Sequence, residues 1–403
     1  MKCRFCSTEL KHELIDLLNS PPSNSYLTAQ ELNEPEVYFP LKIYVCDNCF
    51  LVQIDEYKKS GEIFDKNYAY FSSFSSSWLT HSKNYVDMIT ERLCLTDSSM
   101  VIEIASNDGY LLQYFLEKNI PCTGIEPTAS TAAVAREKGI NVIEEFFGEN
   151  MAKTLQQADL ILGNNVLAHV PDINGFVKGL KISLKPGGTV TMEFPHLLNL
   201  INLNQFDTIY HEHFSYLSLY TVEKIFRKHS LIIYDVEELP THGGSLRIYA
   251  AHEGSGMKVN SRVGVLLNKE RDAGFDALAG YMGLQGKARK IKMDFLNFLL
   301  KADLEGKTVA GYGAAAKGNT LLNYCGVKND LIKFVIDAAP SKQGKFLPGS
   351  HIPVVNEAEI KNIKPDYIVI FPWNIKDEIE KQLAYVKEWG CRFVTAIPEV
   401  RII

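Results

Sequence analysis

The stretch "SSMVIEIASNDGYLLQYFLEKNI", residues 98–120, decides the fold. Val101, Ile102 and Ile104 make an apolar run of strand length, and "ASNDG" supplies small residues for a tight turn. Beyond the turn, Leu111, Leu112, Phe115 and Leu116 recur at helical spacing. The segment therefore reads as buried strand, turn and amphipathic helix. The next stretch, "PCTGIEPTASTAAVAREKGI", repeats that order with the strand "CTGIE". A third strand falls in "ADLILGNNVLAHVPD" and a fourth in "KPGGTVTMEFPH". Strands alternating with helices imply an α/β fold with a parallel, Rossmann-like sheet.

The first turn carries the chemistry. Its strand holds an acid, Glu103, and the bend runs through Ala105, Asn107 and Gly109. A ligand is expected against bare backbone there, at a helix N-terminus. The loop is not G-x-G-x-x-G, and no lysine follows it as a P-loop requires. A second acid, Glu126, ends the next strand ahead of Pro127, placed to accept hydrogen bonds from ribose hydroxyls. A carboxylate at Glu103 would repel a pyrophosphate but suits a cationic cofactor bearing an amino group, and S-adenosylmethionine is one. The plainer reading is that both acids only cap loops. Asn164 and Asn165 follow the third strand at the open end of the sheet, as cofactor contacts, and His169 is placed to face a substrate.

Two C-x2-C pairs stand near the N-terminus, "CRFC" (Cys3, Cys6) and "CDNC" (Cys46, Cys49). Each pair grips a metal from a tight turn, and together they complete the four-thiolate tetrahedron zinc prefers. No open coordination position is evident, so the zinc is expected to be structural. The competing redox-dithiol reading lacks a helix-start context. Cys94, Cys122, Cys325 and Cys391 are scattered singly, as in a reducing compartment. Among 403 residues, 46% are hydrophobic and 22% charged, which supports two or three domains with sizeable cores. A net charge of −6 argues against a nucleic-acid footprint. With no signal-peptide pattern and no apolar run of membrane-spanning length, a cytoplasmic protein is expected.

Further along, "DTIYHEHFSY", residues 207–216, sets His211, Glu212 and His213 side by side between Tyr210 and Tyr216. A metal reading lacks a third ligand of convincing spacing. The three groups cannot face one way along a regular helix, so an irregular turn is expected. "THGGSLR", residues 241–247, offers glycines for close approach and Arg247 for a pyrophosphate. "GKTVAGYGAAAKGNTLLNY", residues 306–324, reads as strand, glycine turn and helix, with Asp337 at the next strand tip. That loop approaches a dinucleotide site, but Lys317 at its helix start suits a phosphate.

These motifs, with "YAYFSSFSSSWLTH" (68–81), taken in this order over essentially the whole chain, resemble the nucleotide-sugar C-methyltransferases of deoxysugar biosynthesis. The resemblance implies a zinc domain (1–65), a class I S-adenosylmethionine-dependent methyltransferase domain (66–250), a helical linker (251–300) and a C-terminal Rossmann-like domain (301–403). It implies methylation at carbon 3 of a 4-keto-6-deoxyhexose carried on dTDP or GDP. It points to His213 as the base, with Tyr210 and Glu212 on the sugar; His169, after the third strand, is the rival base. Tyr70 resembles the family's active-site tyrosine, with Tyr68 second. His242, Ser245, Arg247, Lys317 and Asn319 are the implied substrate contacts, and the oligomeric state stays open. The rival functions are O- or N-methylation, a non-catalytic scaffold and a nicotinamide-dependent dehydrogenase.

Overall fold

The computed structural model describes residues 1–58, 61 and 71–403. The chain forms two compact units, each assembled from three separate stretches. The first comprises residues 1–11, 46–196 and 214–280, and the second residues 12–45, 197–213 and 281–403.

The first unit is built on a seven-stranded sheet. Across it lie Leu231–Leu239, Ser245–His252, Leu184–Pro195, Ala158–Asn164, Val101–Ile104, Cys122–Ile125 and Asn141–Ile143. The five strands from Leu184–Pro195 to Asn141–Ile143 run parallel, with Val101 opposite Cys122 on one side and Leu160 on the other. The first two add an antiparallel extension. The strand–turn–helix reading of residues 98–120 holds, but the helix is short, Leu112–Glu117, because the turn runs on through Leu111.

Helix Ser76–Leu93 packs on this sheet. Ser75 caps it, its Oγ accepting the Trp78 N–H at 3.3 Å, and Trp78, Tyr85, Val86 and Ile89 make the buried face. Complete burial of an aliphatic side chain such as Val86 or Ile89 stabilises the fold by roughly 1.5–3 kcal/mol. Helix Leu219–Lys228 is held by an acid from a distant helix. Glu270, fully buried, accepts the N–H groups of Leu219 at 2.8 Å and Tyr220 at 2.7 Å, and its Oε1 lies 2.7 Å from His196 Nε2. An acid there satisfies orphan donors and complements the positive helix end.

The second unit has a six-stranded sheet in the order Val354–Val355, Val335–Ile336, Val309–Tyr312, Tyr367–Ile370, Arg392–Thr395 and Arg401–Ile402. All but the last run parallel, giving a second Rossmann-like layer. An antiparallel pair, His12–Ser20 and Phe39–Val45, belongs to the same unit. Its core includes Ile336, Ile368, Ile370, Leu383 and Phe393. Among the described residues no helix is long and apolar enough to cross a membrane.

Candidate active site

The two cysteine pairs come together. The Sγ atoms of Cys3, Cys6, Cys46 and Cys49 all lie within 4.8 Å of one another, with Cys3–Cys49 and Cys6–Cys46 each at 3.5 Å. Sulfurs around a tetrahedral zinc with bonds of about 2.3 Å sit about 3.8 Å apart, so the donor set fits that ion. Both turns close alike. Ser7 N–H donates to Cys3 and Phe50 N–H to Cys46, and Ser7 and Phe50 both take φ of +64°. Buried Gln53 adds a second layer, its Nε2 donating to Cys3 Sγ at 3.2 Å and its Oε1 accepting from Arg4 N.

At the carboxyl ends of the parallel strands, the expected cofactor residues share an uncommon backbone. Ala105, Asn107 and Asn165 take φ of +57°, +50° and +56°, and Gly109 takes +73°. A non-glycine residue pays for a left-handed φ, so the surroundings must hold the loop in shape. Gly109 is required on two counts, since a Cβ there would also run into Ile140. Glu126 fastens the loop, with Oε2 accepting from Asn107 N and Oε1 from Thr128 N, both at 2.9 Å. Ser72 N donates to Asn107 Oδ1 at 2.9 Å, and Ser73 donates to Asp108 Oδ2.

Glu103 differs from its neighbours. It is fully buried, and neither carboxylate oxygen has a hydrogen-bond partner among the described residues. Burial pushes this carboxyl well above the usual carboxylate range. Tyr110 draws it part of the way back without completing a hydrogen bond to either oxygen, while Asp108 and Glu126 push it further up. Ser106 Oγ, Asp108 Oδ1 and Asn164 Nδ2 are likewise buried without a partner among the described residues. The orphaned oxygens of Glu103, Ser106 and Asp108 are acceptors that fit the ammonium and hydroxyl donors of S-adenosylmethionine, and Asn164 Nδ2 is a donor for an acceptor of the same ligand.

Beside Asn165 lies a cluster centred on Glu193, a residue the motif reading did not assign. Glu193, opposite Asn164 in the sheet register, is fully buried. Its Oε2 is 2.7 Å from Arg247 Nη2 and 2.9 Å from His81 Nε2, and its Oε1 accepts from Thr241 Oγ1 at 2.8 Å. Burial alone would raise the Glu193 carboxyl; His81 and Arg247 outweigh it and hold the group down at about 2. Arg247, expected at a pyrophosphate, is thus buried with its charge already matched, its guanidinium 4.5 Å from the Tyr85 ring centre. Ser245 is buried too, donating to Thr241 O at 3.0 Å. Trp78 stacks on His81 at 5.0 Å and meets His242 at 5.1 Å. His242, at φ +54°, has Nε2 2.9 Å from Asn165 Nδ2. His169 lies in the short turn Leu167–His169, its N–H donating to Val166 O. Trp78 and His81 stand in "SSWLTH", which was quoted only as part of a longer motif.

The "YHEH" residues belong to the second unit. They lie in an irregular turn after Phe206–Thr208, as their alternation requires. His213 Nδ1 is 3.0 Å from Thr208 O, and the Tyr210 and His213 rings sit 4.0 Å apart. Asn24 Nδ2 lies 2.8 Å from each oxygen of buried Glu212. Just upstream, Asp207 is buried and accepts from Trp373 Nε1 at 2.7 Å; burial pushes its carboxyl up to about 6, against the pull of Lys317 and the indole. Lys317 Nζ donates to Asn374 Oδ1 at 2.6 Å and lies 4.5 Å from the Trp373 ring centre. Asn319 is buried, its Nδ2 donating to Ser23 O at 2.6 Å. In "GYGAAAKGNT" the tight turn serves packing, since Gly313, at φ +87°, faces Pro372 where a Cβ would clash. Asp337 is engaged by the backbone N–H groups of Ala314 and Ala339 at 2.7 and 2.8 Å. Asn24, Trp373 and Asn374 had no motif to mark them, and Asp207 stands at the head of "DTIYHEHFSY" without having been assigned a role. Tyr68 and Tyr70 lie outside the described residues.

Three family models match the chain: a zinc binding domain over residues 3–64, a methyltransferase domain over 79–233 and a C-methyltransferase C-terminal domain over 240–398. The chain is 34% identical over 406 residues to the C-methyltransferase NovU of Streptomyces niveus, covering 100% of this chain and 96% of that protein. A ubiquinone biosynthesis O-methyltransferase of Klebsiella pneumoniae is 32% identical over 96 residues, 22% of this chain and 40% of that enzyme. Among solved structures, the magnesium protoporphyrin IX methyltransferase of Synechocystis PCC 6803 with bound SAH superposes with a TM-score of 0.36 at 13% identity, over 43% of this chain and 82% of that one.

Proposed function

The chain belongs to the C-methyltransferase family and is an S-adenosylmethionine-dependent enzyme, and from that premise we propose that it methylates carbon 3 of a nucleotide-linked 4-keto-6-deoxyhexose. A 4-ketone makes the hydrogen on carbon 3 weakly acidic. Removing it takes a base within hydrogen-bond reach and a donor at the enolate oxygen.

The observation that carries the reading is the 3.0 Å contact from His213 Nδ1 to the Thr208 carbonyl. A carbonyl oxygen only accepts, so Nδ1 holds the proton of the neutral ring and Nε2 presents its lone pair. In the proposed step Nε2 takes the carbon 3 proton, and the electron pair moves into the enolate. Tyr210, packed on the imidazole, and Glu212 orient the sugar, and Tyr70 donates to the enolate oxygen. When bound, S-adenosylmethionine would supply the methyl group for the new carbon–carbon bond, its sulfur–methyl bond breaking to leave S-adenosylhomocysteine, with Glu103, Glu126, Asn164 and Asn165 as the residues that would hold it. Lys317 suits a phosphate of the nucleotide, its Nζ made more acidic by burial and restrained from that shift by Asp207.

His213→Asn should abolish methyl transfer while leaving S-adenosylmethionine affinity unchanged. The assay is mass spectrometry of products from dTDP- and GDP-linked 4-keto-6-deoxyhexoses, where a C-methyl survives acid hydrolysis. Turnover near the native rate would shift the base to His169. An acid-labile methyl would refute carbon methylation of the sugar.

A further inference from the structure

We propose that Asn24 is a positioning residue that sets the orientation of the Glu212 carboxylate. The inference rests on the reading above, in which Glu212 orients the sugar. The Nδ2 atom stands 2.8 Å from both Oε1 and Oε2, a symmetric approach. An amide nitrogen only donates and a carboxylate only accepts, so the assignment of Nδ2 over Oδ1 follows from the partner. A donor equidistant from both oxygens turns the open end of the carboxylate, both oxygens together, toward Asn24.

The loop that delivers Asn24 is anchored on both sides. Ser23 is buried and its carbonyl accepts from Asn319 Nδ2 at 2.6 Å. Tyr26 OH donates to Ala314 O at 2.5 Å, and Leu27 exchanges backbone hydrogen bonds with Phe346 at 3.0 and 2.8 Å. Ser25 N–H closes the turn onto Pro22 O at 3.1 Å. Anchors at Ser23, Tyr26 and Leu27 make the Asn24 side chain a fixed arm, which is what orienting a reacting group demands. Asn24 itself is exposed, so its truncation opens no core cavity.

The test compares Asn24→Ala, Asn24→Asp and Glu212→Gln in the full-length protein. Turnover of a dTDP- or GDP-linked 4-keto-6-deoxyhexose, the pH profile of kcat/KM and calorimetric affinity for S-adenosylmethionine are measured for each. Asn24→Ala should lower kcat by about tenfold to a hundredfold with cofactor affinity unchanged. Asn24→Asp sets a second carboxylate against Glu212. The pair then holds a proton, and the acid limb of the kcat/KM profile moves to higher pH. A role confined to folding would not move that limb. If Glu212→Gln loses turnover while both Asn24 variants keep native kcat and an unmoved profile, the Asn24 inference fails and the Glu212 reading survives. Reduced kcat with an unmoved acid limb in Asn24→Asp also overturns it. If Glu212→Gln keeps native turnover, the reading beneath the inference fails with it.

Discussion

Replacing Glu103 with glutamine should make the protein more stable and a poorer binder of S-adenosylmethionine. The carboxyl is fully buried, lacks a hydrogen-bond partner among the described residues, and is pushed up by burial and by Asp108 and Glu126. A carboxyl raised in the folded state contributes its full stability below the unfolded value of about 4.3, and that stability is lost as pH rises through the folded value. Glutamine mimics the protonated acid at every pH. Native and variant proteins should therefore melt alike near pH 4, and the variant should gain as pH climbs. Leaving a buried group unsatisfied costs about 1–3 kcal/mol, and more when it is charged. At about 2–4 °C per kcal/mol for a unit of this size, the melting point at pH 8 should rise by several degrees. Binding moves the other way. Losing one partner of a buried charge pair costs about 2–5 kcal/mol, so calorimetry should show an affinity at least about thirtyfold weaker. Native binding should also release a proton, detected as a heat that depends on the buffer, and the variant should release none. An E103Q protein that binds as tightly as native, or melts lower at pH 8, would refute the assignment of Glu103 to the cofactor's cationic end.

Elemental analysis should find one zinc per chain, and chelation should unmask four additional titratable thiols and lower the melting point, because a four-cysteine site contributes folding energy directly. Glu193→Gln should cost up to about 3–5 kcal/mol by removing the nearer counter-charge of the buried Arg247 guanidinium and leaving it Glu237, 3.6 Å from Nη1, and Arg247→Met in the same chain should recover part of the loss in a denaturant titration. Asp207→Asn should leave stability unchanged near pH 4 and raise it by up to about 3 kcal/mol at pH 8, since the native carboxyl, pushed up to about 6, gives up its stability as pH rises through that value; a flat difference across pH would sink this.

What the sequence disclosed is local in character. Val101–Ile104, Ala158–Asn164 and Val309–Tyr312 announce themselves because a buried parallel strand is a short apolar run, and the cysteine pairs because metal ligands need tight turns. In loops one pattern serves two ends. "GYGAAA" approaches a dinucleotide loop and its Gly313 also faces Pro372, and no alternation of residue types distinguishes a glycine that admits a ligand from one that admits a proline ring. Ala105 shows the converse, a left-handed φ on a residue that carries no sign of it.

The contacts that shape the candidate site were the least legible, for a reason of distance along the chain. Asn24 reaches Glu212 across 188 residues, and His81 reaches Glu193 across 112. The density of titratable groups in "YHEH" is visible on the page, but which imidazole nitrogen carries the proton depends on the carbonyl of Thr208, a backbone atom whose side chain gives no hint of it. A histidine can serve as a base through the acceptor that holds its other nitrogen, so the family resemblance nominates His213 and only folded geometry can give it a tautomer.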